Sequence, residues 1–221
     1  MAPSTPKKRF LGMTLIGILI VALAGCAPSL KELEQAKHLY QDHQYTQLAA
    51  LEISCQAADE GCNQVHLLKG DACFRIAKNA REMQARGSAL NCAAAELNTG
   101  IEMTKAWDKV PINRAQVYEN ACESARLRAD FDDRSRYEAM LATCADRFLT
   151  FASGNPRANY YDARAAFYKL TQSANPCNGL QSLHARVASA LQHLRTDSRL
   201  GAPYQALKVA ISAEQGRRCG N

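Results

Sequence analysis

The stretch LQSLHARVASALQHL, residues 180–194, sets Leu180, Leu183, Val187, Leu191 and Leu194 three or four positions apart. That recurrence stacks all five on one face of a 3.6-residue helix, the pattern of a helix packed against a core. Asn175-Pro176 breaks the chain before it, and Tyr204, Leu207 and Ile211 mark a final helix after it. Towards the N-terminus the same spacing predicts helices over Tyr160–Thr171, Asp132–Phe151 and Asn113–Ala129, with Asn155-Pro156 as a further break. Trp107 and Pro111 fall in a connector that divides the body into two halves. Before it, helices are expected over Asn63–Ala80 and, after Gly87, over Leu90–Met103, with Gly100 weakening the end. Leu30, Leu33 and Tyr40 lie on a first helix capped by Ser29 with Glu32, and Leu48, Leu51 and Ile53 on a second, Tyr45–Ala57. No hairpin strand signal appears. The 38 alanines agree with this, since alanine is the best helix former and the β-branched and aromatic residues that strands prefer are scarce. The expected fold is all-α, built from antiparallel helical hairpins.

The first residues carry a different signal. Lys7, Lys8 and Arg9 precede an apolar run from Phe10 to Ala24, too short for the roughly 20 residues a spanning helix needs. The run ends Leu23-Ala24-Gly25-Cys26, which resembles the lipobox of bacterial lipoproteins. The resemblance implies a signal peptide over 1–25, a lipidated Cys26, a short tether over 26–29 and a periplasmic body over 30–221. Ala27 and Pro28 follow, with no Asp at the second mature position, which in that family implies sorting to the outer membrane. Acyl chains would supply the membrane anchor, at about 0.8 kcal/mol per buried methylene. Apart from that covalent lipid, no cofactor is expected.

The whole chain has 27 basic and 21 acidic residues. The leader holds three of the basic ones and none of the acidic, leaving 24 against 21. A net +3 does not make the clustered basic surface that nucleic acid requires.

Eight further cysteines, Cys55, Cys62, Cys73, Cys92, Cys122, Cys144, Cys177 and Cys219, form an even set in an oxidising compartment, so disulfides are expected. No CxxC or CxxCH occurs, against a thioredoxin-like site or ordinary haem attachment. Cys62 and His66 have a metal-like spacing without a second pair. Residues equidistant from a turn meet in an antiparallel pair. That geometry favours sequential bonds: Cys55–Cys62, Cys73–Cys92, Cys122–Cys144 and Cys177–Cys219. Free buried cysteines are the alternative.

Ala36-Lys37-His38-Leu39-Tyr40 and Gly70-Asp71-Ala72-Cys73-Phe74 resemble the first-helix cores of tetratricopeptide repeats, a small residue followed four positions later by an aromatic. Ala36 and Gly70 are 34 residues apart, the usual period of that family. Ala163 and Phe167 give a looser copy; at Ala121 the aromatic is replaced by Ala125, and the Trp-Leu-Gly signature is absent. The resemblance covers 30–150 best. It implies a disulfide-stapled stack of hairpins with an extended surface for a protein or peptide of the envelope, and hence an adaptor or assembly role. A pilotin-like carrier of one outer-membrane protein, or a cell-wall binding or hydrolytic protein, are the alternatives.

Candidate chemistry is sparse. There is no HExxH and no GxSxG, and the five histidines sit in unrelated contexts, so a non-enzymatic role is expected. Glu123-Ser124 invites comparison with lytic transglycosylases, which it resembles only in that pair; Glu123 is better read as a partner of Arg126. Asp130, Asp132 and Asp133 lack calcium-loop spacing and are read as helix N-terminal charge. Trp107 and Tyr160-Tyr161 are the candidate exposed aromatics of a binding surface, and Arg134, with Arg126, Arg128 and Arg136, a candidate basic contact for an acidic partner.

Overall fold

The computed structural model describes residues 27–130, 134–194 and 199–220; the leader, Cys26, Asp132, Asp133 and the side chain of Arg134 lie outside the described residues. The described residues form nine α-helices and no strand. They are α1 (Ala27–Gln41), α2 (Tyr45–Ala49), α3 (Cys62–Asn79), α4 (Met83–Met103), α5 (Arg114–Ala129), α6 (Arg134–Phe151), α7 (Pro156–Gln172), α8 (Cys177–His193) and α9 (Gly201–Cys219). Trp107–Lys109 adds one 3-10 turn between α4 and α5. Among these residues no helix is long and apolar enough to cross a membrane.

From α2 onwards each helix packs most closely on a sequence neighbour, above all α3 on α4, α5 on α6 and α6 on α7, while α1 leans mainly on α3. A second layer of contacts joins alternate helices: α1 touches α3, α3 touches α5, α5 touches α7, and α7 touches α9. Even-numbered helices make no comparable contact with one another. The odd helices therefore line up along one side.

Two glycines set the spacing of α3 and α4. A Cβ on Gly70 would lie 2.8 Å from the backbone nitrogen of Leu97, and one on Gly100 would lie 2.7 Å from the Leu67 side chain. The two contacts are reciprocal in an antiparallel pair, and Cys73–Cys92 closes the same interface. Gly100 thus lies inside α4 as a point of close approach and does not weaken its end. Gly87 likewise lies inside α4, which begins at Met83 and not at Leu90; the Arg128 guanidinium passes 2.9 Å from where a Gly87 Cβ would be.

The disulfides follow the sequential pairing: Cys55–Cys62, Cys73–Cys92, Cys122–Cys144 and Cys177–Cys219. Three of them staple helical hairpins internally. Cys55–Cys62 instead pins the segment that leads into α3.

That segment departs from expectation. α2 ends at Ala49 and not at Ala57, and residues 51–56 run extended with alternating inward and outward side chains. Leu51 and Ile53 reach the small cluster of α1 and α3 from this extended chain. Its polar groups are matched: Glu32 accepts from the amides of Ser54 and Cys55 and from the Ser54 hydroxyl, and Lys69 Nζ donates to the Leu51 carbonyl at 2.9 Å. Glu32 therefore does not close a capping box, and Ser29 falls within α1, which has begun by Ala27.

The main core runs without interruption from Leu67 to Ile211, so the Trp107 connector does not divide the body; a smaller cluster around Leu33, Ala36 and Leu48 sits at the N-terminal end. Caps at Asn113 and Asn155 accept from Gln116 and Arg157 amides and start α5 and α7 close to their expected positions.

Gly70→Ala and Gly100→Ala should each destabilise the protein by about 1–2 kcal/mol, because overpacking costs about 1–3 kcal/mol and outweighs a helix-propensity gain of about 1 kcal/mol. Gly216→Ala, with open space around its Cβ in α9, should stabilise by up to about 1 kcal/mol. Urea unfolding of the three variants reads the sign of each change.

Candidate functional site

Four small residues, Ala36, Gly70, Ala121 and Ala163, are buried on α1, α3, α5 and α7. Between α1, α3 and α5 the link is polar. The Asp71 carboxylate, 2% exposed, accepts from Tyr40 of α1 at 2.7 Å, Arg75 of α3 at 2.6 Å and Asn120 of α5 at 2.7 Å. Gln116 donates to the Asn120 side-chain oxygen at 2.7 Å and extends the chain of bonds to the surface. A buried carboxylate with three donors has its desolvation offset by those bonds, which also fix the relative level of three helices. Burial, then the bond to Asp71, pushes the Tyr40 phenol up to about 12.

Between α5 and α7 the links are ionic. Glu119 pairs with Arg157, and Glu123 accepts two bonds from Arg126, at 2.7 and 2.8 Å, and one from the Tyr161 hydroxyl at 3.3 Å. Asp130 accepts from Arg126, Arg164 and Tyr168. Asp130 is thus the C-cap of α5, where its charge opposes the helix dipole and is matched by two guanidiniums; it is not an N-terminal charge as expected. Burial and the Asp130 bond push Tyr168 up to about 12.

Over these links lies a groove of about 560 Å³ that crosses α5. Phe74 and Lys78 of α3 and Arg86 of α4 line one end. Arg157 of α7 and Arg199, Leu200 and Pro203, around the start of α9, line the other. Glu123, Arg126, Leu127, Tyr160 and Tyr161 lie between. A smaller, mainly apolar hollow of about 200 Å³ lies among α7, α8 and α9.

The structure brings together only part of the predicted site. Tyr160 and Tyr161 line the groove but are 7% and 5% exposed: the Tyr160 ring meets that of Tyr204 of α9 edge-on at 5.3 Å, and Tyr161 packs on Tyr160 with its hydroxyl on Glu123. They are walls and not protruding anchors. Trp107 is not part of the groove; its ring lies 5.6 Å from Tyr118 and under the Arg114 guanidinium, which also stacks 4.0 Å from Phe151. Arg128 is buried against the Tyr137 ring and Arg136 lies over the same ring, so neither belongs to a shared basic patch with Arg126. Cys62 is disulfide-bonded and His66 meets Glu96 at 2.6 Å, which removes the metal spacing; no group of metal-ligating side chains gathers among the described residues. Glu123, fully engaged by Arg126 and Tyr161, has the partner expected of it. Sequence reading missed Lys78, Glu119, Arg157 and Arg199, which no local motif marks.

Comparison with models of protein families, with curated proteins and with solved structures finds no match to this chain.

Tyr40, Tyr168 and Tyr204 all titrate near 12 in the folded state, above the ordinary 10.0, chiefly through burial. A phenol whose pKa is raised on folding stabilises fully below the unfolded value and loses that contribution as pH rises through the folded one. Stability should therefore hold up to pH 10 and fall between pH 10 and about 12. Tyr40→Phe should make that fall shallower. Urea unfolding across this range, beside a phenolate absorbance titration, measures both.

Proposed function

We propose that this chain is a lipid-anchored adaptor of the bacterial envelope that holds a protein or peptide partner in the groove along its odd-numbered helices. The observation that carries the reading is that groove: a concave surface built jointly by α3, α5, α7 and α9 and held by the buried Asp71–Asn120 bond and the half-exposed Glu119–Arg157 pair. Contacts between alternate helices, with small residues at Ala36, Gly70, Ala121 and Ala163, support a stack of hairpins similar to tetratricopeptide repeats. Such stacks commonly use their concave face to hold a partner. The leader and Leu23-Ala24-Gly25-Cys26 support an outer-membrane anchor through acyl chains on Cys26, with the body on the periplasmic side. The four disulfides fit an oxidising compartment. Binding, not catalysis, is the reading the groove favours, because its two carboxylates are occupied by Arg157, Arg126 and Tyr161.

Photocrosslinking in cells from Gln116 and Leu127, in the groove, should give one shared protein adduct, whereas a probe at the exposed Asp146 of α6 should not. Equal labelling from all three positions, or none from the groove, would sink the adaptor reading. Cys26→Ser should abolish incorporation of labelled fatty acid and release the protein from the membrane fraction; retention of the label would remove the anchor.

A further inference from the structure

Contacts between side chains fix how the helices stand beside one another. α3 runs antiparallel to α4 through the Gly70–Leu97 and Gly100–Leu67 contacts, and the start of α4 at Gly87 meets Arg128 at the end of α5, so α3 and α5 run in parallel. Asp71 meets Asn120, which puts Lys78 level with the far end of α5 near Leu127. Glu119 meets Arg157 and Glu123 meets Tyr161, so α7 also runs parallel, with its first turn level with the near half of α5. The groove thus crosses α5 obliquely, from the last turn of α3 to the first turn of α7 and the start of α9. Gln116 to Leu127 rises about 16 Å along the axis, and each neighbouring helix lies about 8–10 Å aside. The course is therefore on the order of 20–25 Å, the length of about six to eight extended residues.

Charge along that course is uneven. Five cationic side chains line it, Lys78, Arg86, Arg126, Arg157 and Arg199, against two carboxylates, Glu119 and Glu123. Both carboxylates are engaged by cations of the groove itself. Lys78 and Arg199, at opposite ends, are exposed, and neither has a carboxylate partner among the described residues. Between them, Leu127 and the Tyr160-Tyr161 walls flank the Glu123–Arg126 pair, whose charges are matched to each other and leave no net charge mid-course. A binding surface of this kind favours a ligand negative at both ends and apolar in the middle.

We propose that the groove takes an extended acidic segment of a partner polypeptide, with carboxylates about one groove-length apart on either side of an apolar residue. This rests on the reading of the groove as the partner site and adds the chemistry of the occupant. The two terminal cations select the charge, and the length of the course matches an extended segment of about six to eight residues. Glu119 acts as an internal competitor, since it occupies the Arg157 guanidinium that would otherwise meet the ligand.

The test uses the full chain in detergent micelles and three fluorescent peptides of about eight residues around an Ala-Leu-Leu-Ala centre. One carries Asp pairs at both ends, one Asn pairs and one Lys pairs. Anisotropy should show the Asp peptide binding about tenfold or more tighter than the Asn peptide, with affinity falling as salt rises, and the Lys peptide not binding. Lys78→Gln with Arg199→Gln, both at exposed positions, should cost about tenfold, and Glu119→Gln should tighten binding several-fold by releasing Arg157. Equal affinity for the Asp and Asn peptides, no binding of the Asp peptide, or preference for the Lys peptide would overturn the proposal. If the groove still captured a protein by photocrosslinking, the adaptor reading would stand and only the acidic occupant would fall.

Discussion

One buried carboxylate sets the line of α1, α3 and α5 on which the later odd-numbered helices build. Asp71 has almost no contact with water, and its oxygens accept from groups on α1, α3 and α5. Apolar packing between alternate helices sets their level less sharply than directed bonds to one carboxylate do. The register they impose carries forward, because the level of α5 against α3 decides where Glu119 and Glu123 meet Arg157 and Tyr161 on α7. The groove is the surface that results. Its shape is a consequence of polar links, with the alanine-rich core supplying closeness and little specificity.

That core explains the staples. Ala72, Ala77, Ala93, Ala94, Ala121, Ala125 and Ala145 are buried between helices where larger side chains often sit. Small side chains bring helix axes together but remove less apolar area from water per residue, at about 25 cal/mol per Å². Constraining the unfolded chain offsets that deficit: a bridge closing a loop of about 20 residues contributes about 3 kcal/mol, and one closing about 40 nearer 4. The widest bridge, with a separation of 42, joins the two ends of the α8–α9 hairpin, the pair least embraced by other helices.

How much was legible depended on how far apart the deciding residues lie. The helices and the cysteine pairing were readable because a helical hairpin is local: its apolar spacing, its breaks at Asn155-Pro156 and Asn175-Pro176, and its turn all fall within some forty residues. The stop of α2 was also present in the sequence. Leu51-Glu52-Ile53-Ser54 alternates with a period of two, and its two apolar residues fit either a helix or an extended strand-like run until Glu32 and Lys69 are known to receive it. Gly100 carries two local meanings, a helix stop or a close approach, and only the position of Leu67 on another helix chooses between them. The burial of Tyr160 depends on where Tyr204 of α9 lands and that of Tyr161 on Glu123 of α5, and the cations of the groove come from helices tens of residues apart. Neither leaves a trace within a window of sequence.

The order of the disulfides has a bearing on biogenesis. Each bridge joins a cysteine to the next in the chain, so the four loops are consecutive and none encloses or crosses another. A polypeptide that emerges vectorially from its N-terminal side exposes each thiol just before its rightful mate. With Cys26 taken up by the acylation proposed above, an oxidant that couples the other eight thiols in order of appearance reaches the native connectivity among 105 possibilities with no reshuffling. On the proposed export route, maturation would call on an oxidase alone, with no demand for a disulfide isomerase.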